Sequence, residues 1–296
     1  TLLEDMGYLP RIAYNLDHCF KKCRACGKQA LTMCMGFGCN AAGVVGCRIV
    51  DSPRERLIAI LTNSLVPCNG RFPLLITLSA MFYTGTASGI TGSAASALLL
   101  TGFILLGVSM TFLASRLLSA TVLKGLPSSF ILELPPYRCP QPCRILLRSL
   151  LDRTLFVLGR AVLAAAPAGV IIWLAANITV ADASLLTHCA GFLEPFARLI
   201  GLDGVILIAF ILGIPANEIV LPIILMAYLS TGSLVQTESL TSLHTLLAVN
   251  GWTPVTALCT MLFSLLHWPC ATTLLTIKKE TGSLKWTLIA FLLPTV

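Results

Sequence analysis

Residues 72–115, FPLLITLSAMFYTGTASGITGSAASALLLTGFILLGVSMTFLAS, contain no Asp, Glu, Lys or Arg. A helix needs only about 20 apolar residues to cross a bilayer, so this run alone is long enough to span one. Two further charge-free runs follow, Ala161 to Ala181 and Ser239 to Ile277. The outer helices of a water-soluble domain must turn a charged face to solvent, and these runs have none. The whole chain is 56% hydrophobic and 11% charged, with a mean hydropathy of +0.87, against about 25% charged in soluble domains. The expectation is an all-α polytopic membrane helix bundle whose main solvent is membrane lipid.

A formal net charge of +7 does not point to nucleic acid here, because the basic residues cluster between the apolar runs. In a membrane protein that clustering reports orientation. Arg11 to Arg56 holds eight Lys/Arg and Arg116 to Arg160 holds seven, which assigns both segments to the cytoplasm. The twelve cysteines are then read as reduced thiols, not as a secreted disulfide framework. No basic-then-apolar leader follows Thr1. Thr1-Leu2-Leu3 resembles the end of one apolar helix and Leu284 to Val296 the start of another, as expected of a fragment.

The spans are interrupted in a patterned way. Leu31 to Cys47 is too short and glycine-rich for an ordinary crossing. Leu57 to Tyr83 should cross outward, broken at Pro67-Cys68-Asn69-Gly70, and Ala94 to Ser115 should return. A cytoplasmic amphipathic connection, Lys124 to Arg153, leads to an outward span over Ala161 to Asn177. Val205 to Leu229 carries Gly213, Pro215 and Pro222 in its middle and reads as a re-entrant or broken helix. Helices broken at mid-membrane are what transporter substrate sites are built from. Ser64-Leu65-Val66-Pro67-Cys68 and Ser264-Leu265-Leu266-His267-Trp268-Pro269-Cys270 echo one another, as the two halves of a duplicated transporter do.

Within this frame a few residues can carry chemistry. A proline inside a helix frees the carbonyl four residues earlier, here that of Asn63 for Pro67 and that of Leu265 for Pro269. Each Pro-Cys pair then offers a thiol beside carbonyl oxygen, a mixture that suits a partly dehydrated divalent cation of intermediate softness. Gly36-Phe37-Gly38-Cys39-Asn40, with Gly43 and Gly46, places a thiol and an amide where backbones approach closely. Glu218, beside Asn217 in an apolar setting, is a carboxylate that function should explain. His18-Cys19, Cys23 and Cys26, and the pair Cys139 and Cys143, read as cytoplasmic thiols, since no second pair completes a zinc site. His267 stands three residues before Cys270. No Gly-x-x-x-x-Gly-Lys-Ser/Thr loop and no Ser/His/Asp arrangement occurs, so the chain is read as no enzyme.

The order of Glu4-Asp5-Met6-Gly7-Tyr8-Leu9-Pro10-Arg11, Gly36-Phe37-Gly38-Cys39-Asn40, Glu55-Arg56-Leu57 and Pro67-Cys68-Asn69-Gly70-Arg71 resembles the FeoB family of ferrous iron transporters. Leu132-Glu133-Leu134-Pro135-Pro136-Tyr137-Arg138, Trp268-Pro269-Cys270 and Lys279-Glu280-Thr281-Gly282-Ser283 continue the match. The resemblance implies the permease part of an iron(II) importer of the cell inner membrane, with two Gate-type modules around a shorter segment. It implies residues 1–52 as the end of a first Gate module, 53–115 as a FeoB C-terminal-type segment, 116–153 as the connection, and 154–296 as a second, truncated Gate module. Fe(II) would be the transported substrate, with Cys39, Cys68 and Cys270 lining its path; the residues themselves, apart from the resemblance, add Asn40 and Asn217 as amide ligands and Glu218 as negative charge. GTP and Mg would act only through a G-protein domain that precedes the point where this chain begins. A FeoA-like small protein and further copies of the chain are the implied partners. The sequence departs from the common pattern in Cys19 to Cys26, His267-Trp268 and Pro215-Ala216-Asn217-Glu218. Two other readings stand beside this one: a Gate-type permease for a nucleoside or other solute, and a non-transporting membrane scaffold or metal sensor.

Overall fold

The computed structural model describes residues 8–83, 90–125, 155–180, 183–229 and 240–295. The motif Leu132 to Arg138, the Cys139/Cys143 pair and most of the expected cytoplasmic connection lie outside the described residues. What is described is helical, with one two-residue antiparallel ladder, β1 (Thr179–Val180) with β2 (Ala183–Ser184). The chain divides into two compact units.

The first unit takes residues 1–68, 106–162 and 272–296. It opens with α1 (Tyr8–Lys22), α2 (Gln29–Gly38), α3 (Asn40–Gly46) and α4 (Pro53–Thr62), the last continued by a 3-10 turn over Asn63–Leu65. Its other elements are the second half of α6 (Ile90–Ala120), the start of α7 (Leu155–Asn177), α13 (Ala271–Thr281) from Thr272 onward, and α14 (Leu284–Leu292). Two apolar clusters hold it: Val44, Cys47, Ile58 to Leu61, Leu118, Ile277 and Ala290 form one, and Phe20, Ala25, Ala30, Met33 and Val66 the other. Phe20 meets Phe112 edge to face at 4.8 Å. Polar ties cross this interior. Gln29 donates to Thr62 Oγ1 (3.0 Å) and Ser115 Oγ (3.2 Å), as buried amides must. Arg48 forks onto Glu280 at 2.8 and 2.7 Å.

The second unit takes residues 69–105 and 163–271. It holds α5 (Phe72–Tyr83), the first half of α6, most of α7, α8 (Leu185–Leu199), α9 (Gly204–Leu212), α10 (Val220–Leu229), α11 (Leu240–Val249) and α12 (Pro254–Leu266). One continuous apolar core runs through it, from Leu74, Leu75 and Leu78 to Ile223, Ile224, Met261 and Leu265. α8 and α9 meet at a bend of 108°. Asp203 makes that bend by capping α9, accepting from Ile206 N (2.6 Å), while Glu194 accepts from Gly204 N (2.7 Å). The Tyr228 hydroxyl donates to Asp203, and Trp252 Nε1 donates to the Tyr228 hydroxyl (2.8 Å), so α10 and the start of α12 are tied to the bend.

Among the described residues, Gly92–Ala120 and Pro254–Thr281 are long and apolar enough to cross a membrane, and the bent α8–α9 pair makes a third if it is one span. α6 has 31 residues, about 46 Å at 1.5 Å per residue, against a hydrocarbon core of about 30 Å. The expected crossing over Leu57 to Tyr83 is instead two short helices, α4 and α5, separated by Asn63 to Arg71. Pro67 is the reason: it disfavours helical geometry in the residue before it. Val205 to Leu229 is broken as the sequence suggests, between Leu212 and Asn217.

Candidate functional site

In the first unit α2 and α3 are separated by a single extended residue, Cys39 (φ −155°, ψ 122°). Asn40 follows as the first residue of α3. The side chain of Asn63, from the 3-10 turn after α4, lies in a notch that Gly36 and Gly43 leave open. A Cβ on Gly43 would stand 2.5 Å from Asn63 Nδ2, and one on Gly36 would stand 3.0 Å from Asn63 Oδ1. Two asparagines then lock the break reciprocally. Asn63 Nδ2 donates to the Asn40 main-chain oxygen (3.1 Å). With its carboxamide turned so that nitrogen and oxygen each meet a complementary group, Asn40 would donate to the Asn63 main-chain oxygen (3.3 Å) and the Gly36 oxygen (3.2 Å).

This arrangement reverses one expectation. The Asn63 carbonyl is already taken: it accepts from Val66 N (3.3 Å). Pro67 lies beyond the helical residues, so it frees no carbonyl inside a helix. The open acceptor is the Asn63 side-chain Oδ1, buried and without a hydrogen bond among the described residues. Its orientation follows from its own nitrogen, which must face the Asn40 carbonyl. Cys68 is buried and Cys39 half-buried in the same unit.

The second unit repeats the backbone device. Between α9 and the 3-10 turn over Asn217–Ile219, Ala216 is extended (φ −151°, ψ 117°) and Asn217 opens the next helical stretch. Gly213 ends α9 where a Cβ would meet Val220 Cγ2 at 2.5 Å. The Ile214 oxygen accepts from Ala271 N (2.7 Å), which ties this break to the residue after Cys270. His267, fully buried, directs Nδ1 to the Ser264 oxygen (2.8 Å). That carbonyl can only accept, so Nδ1 carries the proton. Nε2, unprotonated in that tautomer, stands 3.4 Å from Asn217 Oδ1, two acceptors facing each other. Phe210, Phe263 and Trp268 surround the imidazole at 5.0, 5.9 and 5.8 Å between ring centres.

Here too the expected free carbonyl is taken. Arg71, with no exposed surface, donates from Nη1 to the Leu265 oxygen (2.8 Å) and from Nη2 to the His267 oxygen (3.2 Å). α12 stops at Leu266, before Pro269. Cys270 is half-buried, and Glu218 is exposed in the first turn of its helical stretch. Of the predicted residues, Cys39, Asn40 and Cys68 belong to the first unit and Asn217, Glu218 and Cys270 to the second. No group of three or more His, Cys, Asp or Glu gathers among the described residues. The donor set is therefore amides, carbonyls, thiols and one imidazole.

The thiols of the segment between α1 and α2 are a different matter. Burial pushes the Cys26 thiol up to about 11, with the charges of Glu55 and Asp17 adding to it and a backbone hydrogen bond from Lys28 opposing it. A thiol so disposed stays protonated at neutral pH and makes a poor metal ligand.

The comparisons with known proteins fall on these same breaks. The chain matches the Gate family, described as "Nucleoside recognition", over residues 1–82 and 158–284, and a second family, "Ferrous iron transport protein B C terminus", over residues 100–152. The chain belongs to the FeoB family. Relatives include the Fe(2+) transporter FeoB of Staphylococcus aureus (strain MSSA476), 30% identical over 100% of this chain and 43% of that protein. The Fe(2+) transporter FeoB of Methanocaldococcus jannaschii is 29% identical over 98% of this chain and 42% of its own length. A Porphyromonas gingivalis protein named as a fusion of Fe(2+) transport protein A with the Fe(2+) transporter FeoB is 23% identical over 99% of this chain and 39% of its own. The chain thus spans less than half the length of these FeoB relatives. No solved structure matches it. Each of the two Gate segments carries one helix break of the kind described above.

Two residues escaped the sequence reading of the site. Arg71 had a signal: it is the one charge between Arg56 and Arg116, and a lone ionisable residue in an apolar run is functional by default. Around Asn63 the sequence points to the main-chain carbonyl alone. Its carboxamide became visible only once Gly36 and Gly43 were placed against it.

Proposed function

We propose that this chain is the permease part of a ferrous iron importer of the cytoplasmic membrane. The observation that carries the reading is the buried, unpartnered Oδ1 of Asn63 at the Gly36–Asn40 break, in a family whose relatives are named Fe(2+) transporters. A buried acceptor left without a donor costs about 1–3 kcal/mol. A cation that has shed part of its water relieves that cost as it passes. One such oxygen, with thiols from Cys39 and Cys68, holds a borderline ion such as Fe(II) weakly enough to release it. In the second unit Asn217, Cys270 and the His267 Nε2 lone pair supply the corresponding donors, and Glu218 supplies negative charge at its entrance.

The greater length of the relatives leaves room for a GTPase domain, which would bind GTP and Mg and drive or gate the permease. The fusion named in Porphyromonas gingivalis supports a FeoA-like protein as partner. Assembly of several copies in the lipid bilayer completes the proposal. The test is Fe(II) uptake by the complete transporter after replacing Cys39, Cys68 and Cys270 together by Ser, and separately Asn63 by Leu. Both changes should lower uptake at least tenfold while leaving membrane insertion intact. Normal uptake in the triple variant would remove the ligand assignment.

A further inference from the structure

The last turn of a helix leaves carbonyl oxygens without intrahelical partners and carries the negative end of the helix dipole. Inside a membrane those oxygens must be satisfied by something other than water. In transporters with broken helices, such ends and the unwound residues beside them coordinate a free sodium ion or proton. α12 ends this way, at Leu266 in the middle of an apolar stretch, with His267 to Cys270 unwound beyond it.

Arg71 already fills that position. Its guanidinium reaches the Leu265 oxygen at 2.8 Å and the His267 oxygen at 3.2 Å, one oxygen from the last turn of α12 and one from the unwound segment. The side chain is fully buried and is among the largest to be so among the described residues. A guanidinium does not lose its proton in proteins, and its planar fork suits two acceptors at once. Arg71 itself precedes α5, whose Phe72 begins a helix packed in the same unit, so the charge is delivered on a fixed backbone and not on a mobile loop.

We propose that Arg71 is a tethered cation: it occupies the carbonyl site at the end of α12 that a sodium or potassium ion would otherwise take, so this unit needs no alkali ion to hold its break. Two consequences follow. The protein does not use an alkali gradient through this site, and any transported cation is kept off the Leu265 and His267 carbonyls by a permanent like charge. The inference stands apart from the identity of the transported substrate.

The test is thermal unfolding of the detergent-purified chain in sodium, potassium or N-methylglucamine chloride at equal ionic strength, together with radiosodium binding. The wild type should melt at the same temperature in all three salts and bind no sodium saturably. Arg71→Gln keeps a donor but removes the charge. It should melt lower and regain about 3–6 °C in sodium or potassium with saturation, as a ligand that binds only the folded state does. Arg71→Lys keeps the charge and should remain indifferent to salt identity. Saturable sodium binding or a sodium-dependent melting temperature in the wild type would overturn the proposal. So would a glutamine variant that folds and ignores both ions, or a lysine variant that responds as the glutamine variant does. Should the glutamine variant not fold, the radiosodium measurement on the wild type and the lysine variant still decides.

Discussion

Replacing Gly43 with Ala probes the asparagine lock directly. The new methyl group would stand 2.5 Å from Asn63 Nδ2, 2.8 Å from its Oδ1 and 3.0 Å from its Cγ. Asn63 is buried and held by the Asn40 carbonyl at 3.1 Å, so it can move only by breaking that bond. Forcing a methyl group into packed space costs about 1–3 kcal/mol, and leaving a buried carbonyl without its donor costs about 1–3 kcal/mol more. Alanine returns about 1 kcal/mol through helix propensity. The net loss is about 3 kcal/mol, or about 6–12 °C in melting temperature for a protein of this size. Gly38→Ala is the internal control, because a Cβ there meets nothing within 4 Å. Melting followed by a thiol-reactive fluorophore, which reports cysteines as they become exposed, would compare the two. Gly38→Ala should melt at or slightly above the wild-type temperature. A Gly43→Ala protein as stable as Gly38→Ala would refute the packing of Asn63 against Gly43.

Other consequences are as direct. Tyr228→Phe removes the hydroxyl that joins Asp203 to Trp252; it should cost about 1–3 kcal/mol and show first as faster proteolysis of the loop between α8 and α9. The Cys26 thiol gives a pH dependence with a definite sign. In the unfolded chain it ionises near 9.0, and in the folded protein near 11, so its contribution is complete below pH 9 and is lost as pH rises towards 11. The loss amounts to about 2–3 kcal/mol. The melting temperature of the wild type should therefore fall faster than that of Cys26→Ser between pH 9 and 11, and parallel curves would contradict the buried position of this thiol.

The break after α9 is legible in the sequence because its cause is local. Gly213 with Pro215 interrupts an apolar run and stops a helix whatever packs around it, whereas the break at Cys39 has no such sign, Gly36 lying inside α2 and Gly43 inside α3. What satisfies the broken backbone was not legible. The Leu265 oxygen is claimed by Arg71, 194 residues away, and Asn40 is paired with Asn63, 23 residues away. Nothing in local spacing specifies such partners. The prolines misled for a related reason. Their apolar surroundings place Pro67 and Pro269 inside helices, whereas the chain leaves helical geometry before each of them, so neither frees a carbonyl from a continuing helix. The candidate oxygen of the first unit thereby moved from the backbone of Asn63 to its side chain. At Glu218 the apolar neighbours in sequence suggested a buried carboxylate, yet the residue is exposed at the start of a helical stretch.

Iron transport by this permease is decided by anaerobic Fe(II) uptake into proteoliposomes containing the complete transporter, with Mn(II), Zn(II) and a nucleoside as competitors. Iron uptake should be saturable, reduced by Mn(II) and Zn(II), unchanged by the nucleoside, and at least tenfold lower in the Cys39, Cys68 and Cys270 serine variant. Nucleoside inhibition without any metal effect, or iron uptake unaltered by the serine substitutions, would contradict this expectation.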